Sequence, residues 1–245
     1  MNLVHLIMHK QIKTSFGKQE NREIIINEIS LADVSAEEEH LAIEQGFLID
    51  VLDDEYWFMS RSTRVITSSV DAKEYDGKWE LVETLTPNLI KILRKILNRY
   101  VQKHNFKDFE RSLNETKRTK FFIYYHNNRI VAFTKMQFYP EIDQSVEHPH
   151  KGVETCMFAW DYKNPELHIG EVTLQHEVYW AQQEGFKYLY IGPGYEKSSL
   201  YKSNIAGFEW WTGMEWSKDT VEYKELCKRD SKIRSFKALT SLEVW

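Results

Sequence analysis

The stretch from Gly152 to Trp216 constrains this chain more than any other. Val153 to Trp160 (VETCMFAW) is apolar nearly throughout, the pattern of a strand covered on both faces. Asp161 to Gly170 follows as a loop, and Glu171 to Glu184 has the pattern of a helix stopped by Gly185. Lys187 to Ile191 (KYLYI) is a second buried strand. Strand, loop, helix and strand make a βαβ unit, whose two strands are parallel and whose crossover is right-handed. Ligands of such units gather at the carboxyl ends of the strands and at the helix N-terminus. That places an expected active site at Asp161 to Gly170 and at Gly192-Pro193-Gly194, where a sharp strand end should open a cleft.

Composition narrows the class. A chain of 245 residues with 42% hydrophobic and 14% aromatic content can bury a substantial core and is not disordered. No apolar run approaches the roughly 18 residues that span a bilayer, and Met1 to Met8 is too short and too lightly charged for a secretory signal. Cys156 and Cys227 are too few for a disulfide scaffold or a cysteine-based zinc site. The expectation is a cytoplasmic protein without a membrane partner. The net charge of −5 conceals an asymmetry: Pro87 to Tyr125 holds ten Lys or Arg against three Asp or Glu, giving +7 and leaving −12 elsewhere. Such a chain is not a general polyanion or DNA binder, yet it can hold one phosphate backbone locally.

Before this segment, Leu3 to Ile7 and Glu23 to Ile29 are apolar enough for strands, with a polar turn region between them. Ser35 and Glu38 have capping-box spacing, opening a helix that ends near Gly46. Phe47-Leu48-Ile49 and Tyr56-Trp57-Phe58 read as short strands around the acidic turn Asp53-Asp54-Glu55, and Arg61 to Ser68 as an extension of that sheet. Asp71 to Thr86 lacks a clean period and reads as a connection. Pro87 suits the first turn of a helix running to about His104. Leu89, Leu93, Ile96 and Tyr100 mark its apolar face, and Lys91, Lys95, Arg99 and Lys103 a basic stripe at four-residue spacing. That stripe is either a solvated surface or a docking face for phosphates. Phe121 to Tyr139 reads as a hairpin turning at Asn127-Asn128, since asparagine tolerates positive φ; Pro140 to Lys151 is a loop. Ser198 to Ala206 is a short helix, Phe208 to Trp211 a strand before a turn at Gly213, and the tail is helical to about Arg229.

Hairpin, strand, helix, strand, short helix and final hairpin resemble the order of the GNAT acyltransferase fold. Asp161 before Asn164-Pro165, Leu167-His168-Ile169-Gly170 opening a helix, Glu184 to Tyr190 (EGFKYLY), and Tyr201-Lys202 before Phe208 resemble the C-terminal domain of arginyl-tRNA–protein transferases and their leucyl-transferring bacterial relatives. The resemblance covers roughly Phe121 to Trp216. A fainter one joins Glu44-Gln45-Gly46-Phe47 and Tyr56 to Arg64 to the N-terminal domain of that family. It implies an α/β GNAT-type domain, a mixed sheet flanked by helices, over 87–245, preceded by a smaller α+β region over 1–86. It also implies transfer of an aminoacyl group from charged tRNA to an amine, a protein N-terminus or a small molecule. The family's N-terminal cysteine cluster is missing, since no cysteine precedes Cys156, which leaves the amino acid and the acceptor open.

A CoA-dependent GNAT protein presents Arg/Gln-x-x-Gly-x-Gly/Ala at the start of this helix, so that backbone amides cradle a pyrophosphate. Here Pro165 stands where Arg or Gln should be and His168 where the first glycine should be. Proline has no amide hydrogen and a histidine side chain crowds the approach, so the loop argues against CoA, which remains the alternative donor. Aminoacyl transfer needs a neutral amine, a polarised ester carbonyl and a proton for the leaving ribose oxygen. Asp161 could orient and deprotonate the amine or simply cap the turn; Tyr201 and Lys202 could protonate the ester oxygen and hold a phosphate or pack under the final hairpin. His168, with Gly170, Gly192 and Gly194, would line the substrate site, and Trp180 could stack a base or belong to the core. His176 reads as structural and Cys156 as a small buried apolar residue. His148-Pro149-His150 lacks the carboxylate or cysteine spacing of a metal site, and no metal or other cofactor is expected. A non-catalytic binding module of the same fold is the reading from another class.

Overall fold

The structure, a computed structural model, describes residues 9–17, 25–32, 34–35, 38–49, 57–59, 61–104, 113–139, 152–163, 165–195 and 197–231. Within them run β1 (His9–Gly17), β2 (Ile25–Ala32), α1 (Glu39–Glu44), β3 (Phe47–Ile49), β4 (Trp57–Met59), β5 (Ser62–Ile66), β6 (Trp79–Val82) and α2 (Pro87–His104). There follow β7 (Thr119–His126), β8 (Arg129–Tyr139), β9 (Gly152–Trp160), α3 (Ile169–Gln183), β10 (Tyr188–Pro193), β11 (Phe208–Trp211), β12 (Trp216–Ser217) and α4 (Thr220–Asp230). The protein is mixed α/β. Two compact units form, Met1–Ile66 with Ile191–Trp245, and Thr67–Tyr190. The boundary expected between 86 and 87 falls inside the second, between β6 and α2.

In the Thr67–Tyr190 unit the strands lie in the order β6-β7-β8-β9-β10. The first three pairings are antiparallel, and β9 and β10 are parallel, Tyr188 opposite Gly152 and Tyr190 opposite Glu154. This is the expected βαβ unit, with α3 as its crossover. The hairpin turns on Asn127 (φ 49°) and Asn128 (φ 59°), the two positive φ angles of a type I′ turn. At the end of α3, Gly185 (φ 77°) donates to the Gln182 carbonyl and Phe186 to that of Ala181, the paired bonds of a Schellman motif.

Helix α2 buries Leu93, Ile96 and Leu97 against Phe121, Ile123, Phe133, Met157 and Ala159, with Leu89 and Tyr100 packed at the margin. The opposite sheet face meets α3 through Phe122 and Phe138, which contact Trp180, and through Thr134, which contacts Glu177. Trp79–Val82 corrects the expected connection: it is an edge strand on β7, where Trp79 packs on Phe122. Four residues are too few for a period to show.

The other unit holds an antiparallel sheet of order β1-β2-β4-β3. Residues 9–17 are a strand where the sequence suggested a turn region, because the many polar residues of this stretch show no apolar period. Leu3 to Ile7, Asp53 to Glu55 and the loop 140–151, with the histidines at 148 and 150, lie outside the described residues. The Glu38 carboxylate accepts from the Ser35 amide and hydroxyl, the returning half of a capping box, and α1 begins one residue later. At its end Gly46 (φ 75°) lies under the Trp211 ring, where a Cβ would come within 2.5 Å of Cγ.

Strand β5 does not extend that sheet. It pairs antiparallel with β11, Phe208 opposite Val65 and Trp210 opposite Thr63, and β11 pairs with β12. A buried ion pair explains the choice of partner: Arg64 Nη2 lies 2.7 Å from Glu209 Oε2, with the guanidinium 3.9 Å from the centre of the Trp216 ring. In α4 the Asp219 carboxylate caps the amides of Val221 and Glu222 at 2.9 Å each.

Candidate functional site

Asp161, His168, Gly170 and Trp180 belong to the Thr67–Tyr190 unit, and Gly192, Gly194, Tyr201 and Lys202 to the other. Asp161 is the first residue beyond β9, held by its amide on the Val131 carbonyl at 2.7 Å. Its Oδ2 accepts from Arg99 Nη1 at 2.9 Å and lies 3.9 Å from Lys163 Nζ. The basic stripe and the expected catalytic carboxylate, 62 residues apart in sequence, therefore meet. Lys91, Lys95, Arg99 and Lys103 are all exposed, and they lead along α2 to this carboxylate.

Beside it sits an aromatic group that sequence reasoning did not single out. The Tyr162 ring lies 4.1 Å from that of Trp160 and stacks on Tyr100 at 6.1 Å; its hydroxyl bonds His104 Nε2. Lys103 Nζ stands 5.9 Å from the Tyr162 ring centre. Tyr100 and His104 lie one helical turn apart, so both side chains reach the same end of β9. The apolar face read along α2 included Tyr100, and extending it by four residues would have flagged His104.

Helix α3 starts at His168, whose backbone is left-handed (φ 46°, ψ 36°) and whose side chain is exposed. Only glycine takes this conformation routinely, and for other residues it costs about 1–2 kcal/mol. Its carbonyl accepts from the amides of Glu171 and Val172, so the ring is presented at the mouth of the helix. A Cβ added at Gly170 would meet Phe158 at 3.4 Å, an ordinary contact, so the start of α3 has room for a small side chain there. Trp180 is half-buried, with Phe122, Phe138 and Phe186 around its ring at 5.2, 6.0 and 5.7 Å, a packing that follows from α3 facing the sheet.

Lys202 is buried. Only 7% exposed, its ammonium donates to the carbonyls of Ile191 (2.5 Å), Pro193 (2.8 Å) and Gly192 (3.4 Å). It fastens the end of β10 rather than presenting a proton. Gly192 (φ 69°) lies within β10, its carbonyl also accepting from Thr63 Oγ1 at 2.5 Å. Gly194 is a packing glycine, since a Cβ there would collide with the Tyr223 hydroxyl. Tyr201 is 55% exposed, the one member of this group that offers its side chain outward.

Two further groups are buried on α3, His176, which the sequence offered as a structural residue, and Glu177, which it did not single out. Glu177 is fully buried, accepting at Oε1 from Thr134 Oγ1 (2.5 Å) and the Tyr124 hydroxyl (3.3 Å), and burial pushes its carboxyl up to about 8. The same burial, with Glu177 adjacent, holds the Tyr124 phenol well above its ordinary range. His176 accepts the Tyr75 amide at Nδ1 (3.2 Å) inside a ring of Trp79, Phe122 and Tyr124, and its Nε2 is left without a hydrogen-bond partner. Desolvation pulls it down to about 4. Among the described residues no cluster of His, Cys, Asp and Glu could hold a metal, and no helix is long and apolar enough to cross a membrane.

No protein-family model and no curated protein sequence matches the chain. Solved structures do. L-PGS from Bacillus licheniformis is similar over 74% of this chain and 71% of its own, at 9% identity and a TM-score of 0.44. The C-terminal domain of a protein described as a lysylphosphatidylglycerol synthetase, from Agrobacterium fabrum, is similar over 78% and 73%, at 10% identity and a TM-score of 0.40. At scores this low the chemistry has to come from this chain's own residues.

Proposed function

We propose that this protein is an aminoacyl-tRNA-dependent aminoacyltransferase of GNAT type acting on an amine, with α2 as the face that receives the acceptor stem. One observation supports this reading most: the exposed row Lys91, Lys95, Arg99 and Lys103 runs to a half-buried aspartate at the carboxyl end of β9, and Arg99 bonds it directly. A row of cations binds a phosphate backbone, and Asp161 stands where that row ends. Tyr162, Tyr100 and Trp160 beside it present rings of the kind on which a terminal base stacks.

In this mechanism Asp161, bonded to Arg99, orients the incoming amine and takes its proton as it attacks the ester carbonyl. The exposed His168 lines the acceptor side, and the proton taken by Asp161 is returned to the departing ribose oxygen. Lys202 acts at one remove, fixing the backbone of Ile191 to Pro193. The acceptor is a protein N-terminus or a small-molecule amine. CoA is the less favoured donor, because Pro165 supplies no amide hydrogen to the turn before α3 and His168 fills the place of a glycine.

The test is tRNA binding across a salt series with free CoA as competitor. Each phosphate contact removed lowers the log–log slope by about one, so replacing Lys91 and Lys95 by alanine should flatten it by about two. Asp161→Asn should keep the binding and lose aminoacyl transfer to a panel of peptides and small amines. Absence of tRNA binding, or its displacement by CoA at low concentration, would sink the proposal in favour of an acyl-CoA enzyme.

A further inference from the structure

Arg99 belongs to two arrangements at once. Along α2 it lies one turn from Lys95 and one turn from Lys103, inside the exposed row that would receive a phosphate backbone. Across the end of β9 its Nη1 bonds Asp161 Oδ2 at 2.9 Å. Among the described residues no acid pairs with Lys91, Lys95 or Lys103, so Arg99 alone in the row has its charge met by a carboxylate. A phosphate drawn to the lysines on either side arrives within a helical turn of that guanidinium. It then competes with Asp161 for it.

The ion pair is built to exchange. Its hydrogen bond is single, from one guanidinium nitrogen to one carboxylate oxygen, where the fork of an arginine can make two in parallel. Among the described residues no other hydrogen bond or ion pair holds Arg99, whose side chain is 48% exposed. Asp161 is placed differently: its side chain is 16% exposed and its amide is fixed on the Val131 carbonyl. The aspartate stays and the arginine is the partner that can move. Lys163 Nζ, at 3.9 Å, is a loose counterion beyond hydrogen-bonding distance. Among the described residues Arg99 is therefore the one hydrogen-bond donor to this carboxylate.

We propose that Arg99 is an exchangeable latch on Asp161. In the protein without nucleic acid it occupies Oδ2; when a phosphate backbone lies along α2 the guanidinium turns to a phosphate and leaves Oδ2 to the amine. The inference rests on the aminoacyl-transfer reading and adds a regulation of the same site. An amine is a cation in water, and in the free protein it meets both Arg99 and Lys163 at the carboxylate; with the latch open only Lys163 opposes it. The donor thus prepares the place of the acceptor, and the charged tRNA binds before the amine.

The experiment is a double-mutant cycle on binding of uncharged bulk tRNA, read by fluorescence anisotropy with the full chain: wild type, Asp161→Asn, Arg99→Ala and the double variant. If Asp161 competes with phosphate for the guanidinium, Asp161→Asn should tighten binding by about threefold to fivefold, the factor carried by a half-exposed ion pair. Its log–log salt slope should steepen by about one, since Arg99 then serves a phosphate fully. In the Arg99→Ala background the same substitution should change the affinity by less than about twofold. Equal tightening in both backgrounds would overturn the latch, because it would report only the loss of a negative charge near the row. No tightening in either background would overturn it as well. Arg99→Gln closes the same cycle should Arg99→Ala fail to fold. Failure of the wild type to bind tRNA would strike the aminoacyl-transfer reading and the latch with it, whereas tRNA binding without coupling would strike the latch alone.

Discussion

Glu177→Gln offers the sharpest test of how the Thr67–Tyr190 unit is built. The folded carboxyl titrates at about 8 against an ordinary 4.5, because burial penalises its charge more than Thr134 and Tyr124 relieve it. The sign follows from proton counting. Between pH 4.5 and 8 the unfolded chain has released this proton and the folded chain still holds it, so stability falls as pH rises across that window. Each pH unit corresponds to about 1.4 kcal/mol, giving a total on the order of 5 kcal/mol. Glutamine keeps the oxygen that accepts from Thr134 and Tyr124 and has no proton to lose. Urea unfolding should be followed by tryptophan fluorescence at half-unit steps from pH 5 to 9, and the wild-type stability subtracted from that of the variant. The difference should grow steadily with pH and level off above about 8. Parallel curves for the two proteins would refute the assignment of a neutral buried acid.

His176 gives the opposite slope. Its folded value of about 4 lies below the ordinary 6.5, so its contribution is intact above 6.5 and lost as pH falls through 4; His176→Phe should remove that acid sensitivity and the orphaned Nε2 together, seen as a flatter Tm between pH 6.5 and 4. Arg64→Ala should cost about 3 kcal/mol by leaving the buried Glu209 with only Lys218, 4.0 Å away, as counterion, whereas Arg64→Met with Glu209→Leu should unfold near the wild-type urea midpoint. Gly194→Ala should destabilise by about 1–3 kcal/mol through its collision with the Tyr223 hydroxyl, and adding Tyr223→Phe should recover part of that loss in the same denaturation experiment.

Local signals carried far in this chain. Pro87 and the 3.6-residue period give α2 its limits, Asn127-Asn128 gives the hairpin, Gly185 gives the end of α3, and two apolar runs around a helix give the parallel pair β9 and β10. Each of these is set by backbone sterics or by neighbours within a turn or two, which is what a sequence displays. Partner choice between distant segments was not displayed. β5 turned out to pair with β11, and Arg64 with Glu209, because a buried charge must find its counterion wherever the chain brings one. The candidate site divides the same way. Asp161 and the basic stripe were each visible as residue types at telling positions, but their contact through Arg99 required β9 to end beside the last turns of α2. Lys202 and Trp180 looked available in the sequence and are spent on internal carbonyls and on phenylalanine rings. The register of β8 on β9 shifts by one residue between Lys135 and Met136, and a bulge has no signature in composition or period. The sequence determined most of the helices, strands and turns, with β1 and β6 the exceptions, since those choices are local; the tertiary structure decided which charges are buried and which are paired, since those depend on what lies across the sheet.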